Sequence, residues 1–278
     1  MLRFTRPNEP TDFATRVQDA RDHLTKKAGK GLGKGDFPNH WSRFKDSFAK
    51  AQKKKCGYCE SAVIGTQHGD VEHFRPKGAL EELPADSKRL GREKPHSTSV
   101  EGRELVHLCD EGYWWLAYDW SNYLLACQSC NESWKKCLFP VDETPRTVPP
   151  AQGTKETPLL LNPFDDPDPK DHLLFDPDLG QVSARNGSKH GDATIKTCGL
   201  DRESLRGFRE QCAKRAQRHA LVWIQAQGGM AGYSPGRSLE EEVVEDLRRE
   251  GDERCPHAGM FRSIVEDITG CSWEDIVR

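Results

Sequence analysis

The chain has 278 residues, a formal net charge of −3, 35% hydrophobic and 31% charged residues. This length suits one large domain or a small core with helical additions, and the composition excludes a chain that is disordered throughout. There is no apolar run of about 18 residues, and Met1 to Pro10 lacks the apolar region of a secretory signal, which points to the cytoplasm.

Ten cysteines without an export signal favour thiolate ligation of zinc over disulfides. The net charge argues against a nucleic-acid-binding field over the whole surface, so such a role must come from local patches. One lies between Lys26 and Lys55, where ten basic residues face only Asp36 and Asp46. As a charge run it is equally well read as a solvated helix face.

In chain order, Phe13, Val17, Ala20 and Leu24 predict an amphipathic helix over 11–28 with Thr11 as N-cap. Gly29 to Gly35 follows, G-K-G-L-G-K-G, which lacks the G-K-[ST] ending and preceding strand of a phosphate loop and is better read as a mobile connector. Trp41, Phe44 and Phe48 mark a second helix leading to Cys56-Gly-Tyr-Cys59, a turn of the zinc-knuckle kind. Asp70 to Phe74 alternates as a short strand, stopped by Arg75-Pro76. Residues 78–112 are polar enough to be a surface insertion. The aromatic cluster from Tyr113 to Trp120 then returns the chain to the core beside Asn122 and Cys127-x-x-Cys130-Asn131.

Proline density marks a linker over 140–150. Extended segments are expected over 159–164 and 173–182, and helices over 192–198, 201–227, 238–250 and 258–269. In the longest, Asp201 is an N-cap candidate, and Leu205, Phe208, Cys212, Ala216, Ala220 and Trp223 should form the buried face. Arg202, Arg206, Arg209, Lys214, Arg215 and Arg218 should be displayed outward.

Cys56, Cys59, Cys127 and Cys130 form a set in which two residues of spacing turn both sulfurs of each pair toward one ion. A four-thiolate zinc has no open position, so it would pin two segments together rather than do chemistry. His68 and His107 are weaker substitutes for a thiolate. Phosphodiester hydrolysis needs a base for water and a cation for the phosphorane, which Glu72, His73, Asn122 and Asn131 could supply if the knot gathers them. Singly, each has an ordinary reading as a strand, turn or cap residue.

These residues resemble the HNH endonucleases of the ββα-metal fold. The resemblance implies an α+β protein with a zinc-pinned core over 51–141 carrying the 78–112 insertion. A helical basic segment over 1–50 and a mainly helical region over 142–278 would flank it. It implies His73 as general base, Asn122 as its orienter, and Glu72 and Asn131 near a catalytic Mg²⁺ or Mn²⁺, with Asp70 in reserve. Asn131 stands where the last His of the family name would be, and Glu72 where Asp is usual. Lys53, Lys54, Lys55, Arg75, Lys77, Lys135 and Lys136 are candidate nucleic-acid contacts, DNA before RNA.

The pieces E-H-F-R-P-K, Y-W-W-L-A-Y-D-W-S-N, L-L-A-C-Q-S-C-N, L-L-N-P-F and T-I-K-T-C-G-L extend the resemblance over most of the chain. They are similar to the HNH subunit family of Septu-type anti-phage defence, PtuB, which also occurs in some retron systems. That resemblance implies an ABC-like ATPase partner, PtuA. A non-catalytic zinc module and a stand-alone restriction or mobile-element nuclease are the alternatives.

Overall fold

The computed structural model describes residues 1–63, 69–83, 99–100, 103–142, 151–153, 156–227 and 238–278. His68, about half of the 78–112 insertion and most of the 140–150 linker lie outside them. Helix α1 (Phe13–Lys27) buries the four apolar residues expected of it. Its start differs: Asp12, not Thr11, stands at the N-cap, and its carboxylate goes to Arg16 instead of a backbone N–H.

A single helical turn, Trp41–Phe44, leads into α2 (Lys45–Ala51). Phe44 and Phe48 enter the core, where Phe13, Phe44 and Phe48 pack around Trp120 with ring centroids 4.7 to 5.3 Å apart. Trp41 stays half-buried and serves another purpose, described below.

Strand β1 (Gly69–His73) is followed by β2 (Leu80–Glu82), β3 (Ser99–Val100), β4 (Arg103–Glu104), β5 (Val106–Cys109) and β6 (Tyr123–Cys127). β1 pairs antiparallel with β6, from Gly69 opposite Cys127 to His73 opposite Tyr123. The two ends of the 78–112 stretch pair with each other as β2 and β5, and β3 pairs with β4. All five residues of β6 are buried, as expected for an apolar strand covered on both faces. A wide helical turn, Ser129–Lys135, comes directly after β6.

The second half begins with the hairpin β7 (Leu173–Phe175) and β8 (Val182–Ala184), where the extended segment over 173–182 was expected. Residues 159–164 have no strand partner. Then come α3 (Lys189–Cys198), α4 (Glu203–Gln227), α5 (Leu239–Glu250), α6 (Ala258–Thr269) and α7 (Trp273–Ile276). Ser238 opens α5 with a capping box, in which Ser238 and Glu241 exchange hydrogen bonds.

Helix α4 corrects two expectations. It begins at Glu203, so Arg202 rather than Asp201 stands before it. Its buried face holds Leu205, Arg209, Cys212, Ala213, Ala216 and Ala220, while Phe208 is 73% exposed. At 100° per residue Phe208 lies about 90° from the centre of that face. Arg209 takes the inward place, its guanidinium donating to the Leu200 carbonyl and lying over the Phe175 ring.

The result is a mixed α+β protein in which nearly all the buried apolar residues among those described form one cluster. Among the described residues no helix is long and apolar enough to cross a membrane.

Candidate functional site

The ribbon β1–β6 carries a different group at each end. At the Gly69–Cys127 end the two knuckles meet. The sulfurs of Cys56, Cys59, Cys127 and Cys130 all lie within 4.8 Å of one another, and all four residues are buried. Cys59 Sγ is 3.8 Å from Cys127 Sγ. That matches the edge of about 3.8 Å in a tetrahedron with zinc–sulfur bonds of about 2.3 Å.

Hydrogen bonds among the sulfurs pull the Cys59 thiol well below its ordinary pKa. Burial pushes Cys56 and Cys130 up. Four sulfurs packed this closely in a dry interior can all become thiolates only around a cation, so the donor set fits structural zinc.

The knot has its own supports. The side chain of Gln52, fully buried, donates from Nε2 to the carbonyls of Leu125 (2.8 Å) and Lys55 (3.1 Å). Its Oε1 accepts from Leu125 N at 2.7 Å, which fastens the first knuckle to β6. Arg202 Nη1 lies 3.4 Å from Cys130 Sγ and also donates to the carbonyls of Cys198 and Gly199. Gly199 ends α3 at φ 57°, and a Cβ there would come within 2.0 Å of the Trp134 ring. A left-handed turn without a side chain is thus what lets α3 sit on the helical turn after the knot.

Arg202 and Arg209 were expected on an outward basic face, yet both are buried. Sequence gave no sign of this, because an arginine at helical spacing looks the same whether it meets water or thiolates. Gln52 was missed for the same reason.

At the other end of the ribbon is His73, 5% exposed. Its Nε2 donates to the Ala117 carbonyl at 2.9 Å, so Nδ1 is left as the acceptor. Lys77 Nζ stands 3.5 Å from Nδ1. The ring packs edge-on against Trp41 and Tyr123, with centroids 4.7 and 5.1 Å away, and Lys77 Nζ sits 4.4 Å over Trp41. Burial first, then the charge of Lys77, holds the imidazole well below its ordinary pKa.

Asn122 is buried where β6 begins. Its Oδ1 accepts from Arg75 N at 2.7 Å, and its Nδ2 donates to the carbonyls of Arg75 and Leu116 at 3.0 Å. It therefore holds the two segments flanking His73 without touching the ring. Glu72 Oε1 receives Lys135 Nζ at 2.6 Å, and the same ammonium donates to the His73 carbonyl at 3.1 Å. Asp70 is exposed, 3.8 Å from Lys45 Nζ. Asn131 is half-buried, and its carbonyl accepts from Lys136 N. Among the described residues the four cysteines are the one group of three or more His, Cys, Asp or Glu close enough for a shared ion. Glu72, His73 and Asp70 are not gathered in this way.

The expected surface cations divide. Lys54 and Lys136 are exposed, Lys53 pairs with Glu253 at 2.7 Å, and Arg75 is committed to the buried Glu156 at 3.1 Å. Lys55 and Lys135 are corrections, since both are buried. Lys55 meets Glu60 at 3.2 Å. Burial alone would raise the Glu60 pKa, but Lys55, the Met1 amino group and His257 bring it down to about 2. A lysine drawn inside must find a carboxylate, and both of these did. His107, a weaker thiolate substitute, pairs with Asp110 away from the knot.

No family model matches the chain, and no solved structure does either. The Septu protein PtuB of Bacillus mycoides (strain KBAB4) is 33% identical over 242 residues, covering 81% of this chain and 74% of that protein. At that identity and coverage, the chain belongs to the Septu PtuB family.

Proposed function

We propose that this chain is a metal-dependent HNH endonuclease, the nuclease effector of an anti-phage defence complex, acting on DNA before RNA. The observation that carries the reading is His73: its Nε2–H is held on the Ala117 carbonyl, which leaves the Nδ1 lone pair to take a proton. The order of the surrounding elements, two antiparallel strands and then a helical turn carrying Asn131, supports it.

In this reading Nδ1 of His73 accepts the proton of the attacking water, and Asn122 keeps the carbonyl-bearing segments in register so that the imidazole does not turn. A divalent ion, Mg²⁺ or Mn²⁺, would be held by Glu72 with Asn131, and Asp70 in reserve. When bound it would supply positive charge to the phosphorane and the leaving oxygen. Glu72 would have to share such an ion with the Lys135 ammonium, which already neutralises it. Lys53, Lys54, Arg75, Lys77 and Lys136 remain the candidate backbone contacts. Family membership supports a partner of the PtuA type, an ABC-like ATPase.

The test is cleavage of plasmid DNA and of total tRNA with Mg²⁺ or Mn²⁺, by wild type and His73→Ala, each with and without the ATPase. Loss of a base of this kind lowers the rate by about 10² to 10⁴. Cleavage that disappears in His73→Ala, at unchanged zinc content, is the expected result. The burial of His73 favours one second reading, a non-catalytic zinc module. An inactive wild type with zinc bound, under every condition, would establish it.

A further inference from the structure

The glycine-rich stretch reads from sequence as a connector, yet its backbone is committed. The N–H groups of Gly29, Gly31 and Leu32 all donate to the Glu111 carboxylate, at 2.8, 2.8 and 2.9 Å. Gly29 and Gly31 have φ of 75° and 88°, and a Cβ on either would meet nothing within 4 Å. Glycine is needed here for backbone direction, not for room. Converging N–H groups of this kind form a concavity for anions, and phosphate oxygens satisfy it as well as carboxylate oxygens do.

The surroundings extend the site. Lys26, Lys30 and Lys34 pair with no carboxylate among the described residues. Lys77 Nζ lies 4.4 Å over the ring of Trp41, on the segment that the glycine loop leads into. Lys77 in turn faces His73 Nδ1. Cations thus flank both the glycine loop and the histidine.

The same contact ties together two segments that pack on His73. Glu111 opens the segment that carries Ala117 and Tyr118, and the glycine loop opens the one that carries Pro38 and Trp41. Tyr118 OH donates to the Pro38 carbonyl at 2.9 Å. The two segments are thus joined at two points beside His73, with Trp41 edge-on to its ring.

We infer that the Gly29–Leu32 loop is a binding site for a backbone phosphate of nucleic acid, and that Glu111 occupies it as a tethered competitor that helps keep His73 covered. The inference rests on the nuclease reading. A single free phosphate would have to compete with a carboxylate whose effective concentration is on the order of millimolar or above. A chain of phosphates gains the further contacts at Lys34 and Lys77, so a polyanion displaces Glu111 where a lone anion does not.

The test uses the full chain without divalent ions, labelled single-stranded and duplex oligonucleotides, and diethyl pyrocarbonate modification of His73 read by mass spectrometry. Glu111→Ala should bind about tenfold tighter, one charged competitor having been removed. It should also expose His73 to faster modification. The double variant Lys30→Glu/Lys34→Glu should bind more weakly, with a salt slope shallower by about one to two. Zinc content monitors folding, and Glu111→Gln, which keeps the shape and loses the charge, replaces Glu111→Ala if that variant does not fold.

Affinity and His73 modification in Glu111→Ala equal to wild type would overturn the inference. If wild type still cleaves in a His73-dependent way, the nuclease reading survives that loss. Tighter binding and faster modification in a protein that never cleaves would support the site and reject the nuclease. Faster modification in wild type with inorganic phosphate alone, as large as with oligonucleotide, would overturn the assignment to a polyanion.

Discussion

The two ends of the ribbon β1–β6 are built on opposite plans. At one end four sulfurs face one another, and every neighbour, from Gln52 to Arg202, adds to holding them. At the other end His73 and Glu72 are each engaged by a lysine, under a half-buried tryptophan. The first arrangement completes a coordination shell and has nothing left to offer a ligand. The second sets a lysine against a neutral imidazole and another against a carboxylate, contacts that the proposed substrate or ion would have to displace.

The largest effect expected from this contrast is at the sulfurs. Cys59→Ser, or prolonged chelation of wild type, should take zinc from about one per chain to none. It should also abolish the cooperative thermal transition, since structural zinc contributes on the order of 10 kcal/mol to folding. Retention of a sharp transition without metal would break the comparison at its stronger end.

Next comes the pair at the histidine end. Lys135→Met leaves the Glu72 charge buried and should cost about 3–5 kcal/mol in urea unfolding, with zinc retained. Adding Glu72→Gln should restore most of that, and a double-mutant cycle measures the coupling. A cycle that shows no coupling would mean that Glu72 is not held by Lys135 in solution.

Gln52→Ala should cost about 1–3 kcal/mol, because it strips partners from buried backbone groups of Leu125 and Lys55. Zinc affinity should fall with it, whereas removal of Asn122, which serves the other end, should leave zinc untouched. The smallest effect concerns Lys136, exposed at φ 44° and ψ −115°. Lys136→Gly should stabilise the fold by about 1 kcal/mol by relieving that conformation. It should also lower nucleic-acid affinity at low salt if this lysine meets a phosphate.

The two ends were also unequally legible. Cysteine pairs announce themselves by spacing, since a shared ion imposes the two-residue interval whatever the rest of the chain does. The helices expected over 192–198, 238–250 and 258–269 were legible because their periodicity is local, and they lie at 189–198, 239–250 and 258–269. The histidine end depends on contacts across long stretches of chain: Lys135 is 63 residues from Glu72, and Ala117 is 44 from His73. No local pattern records such a meeting. Lys135 therefore looked like a surface cation, whereas Lys55 was hidden by a partner only five residues away and Phe208 by its offset from the buried face of its own helix. The glycine loop was misjudged because its partner, Glu111, contributes only a carboxylate, which composition cannot tell from a solvated one.

The guanidinium of Arg202 has a practical consequence. It belongs to the second half of the chain, yet it stands on the sulfur of Cys130. Glu60, beside Cys59, similarly depends on the Met1 amino group and on the backbone N–H of Gly259. A shortened version made for expression from residues 51–141 would keep all four cysteines and lose each of these neighbours. Such a fragment should bind its metal more loosely and exchange it faster than the whole chain, so minimal versions of this protein should be cut around its charges rather than its motif.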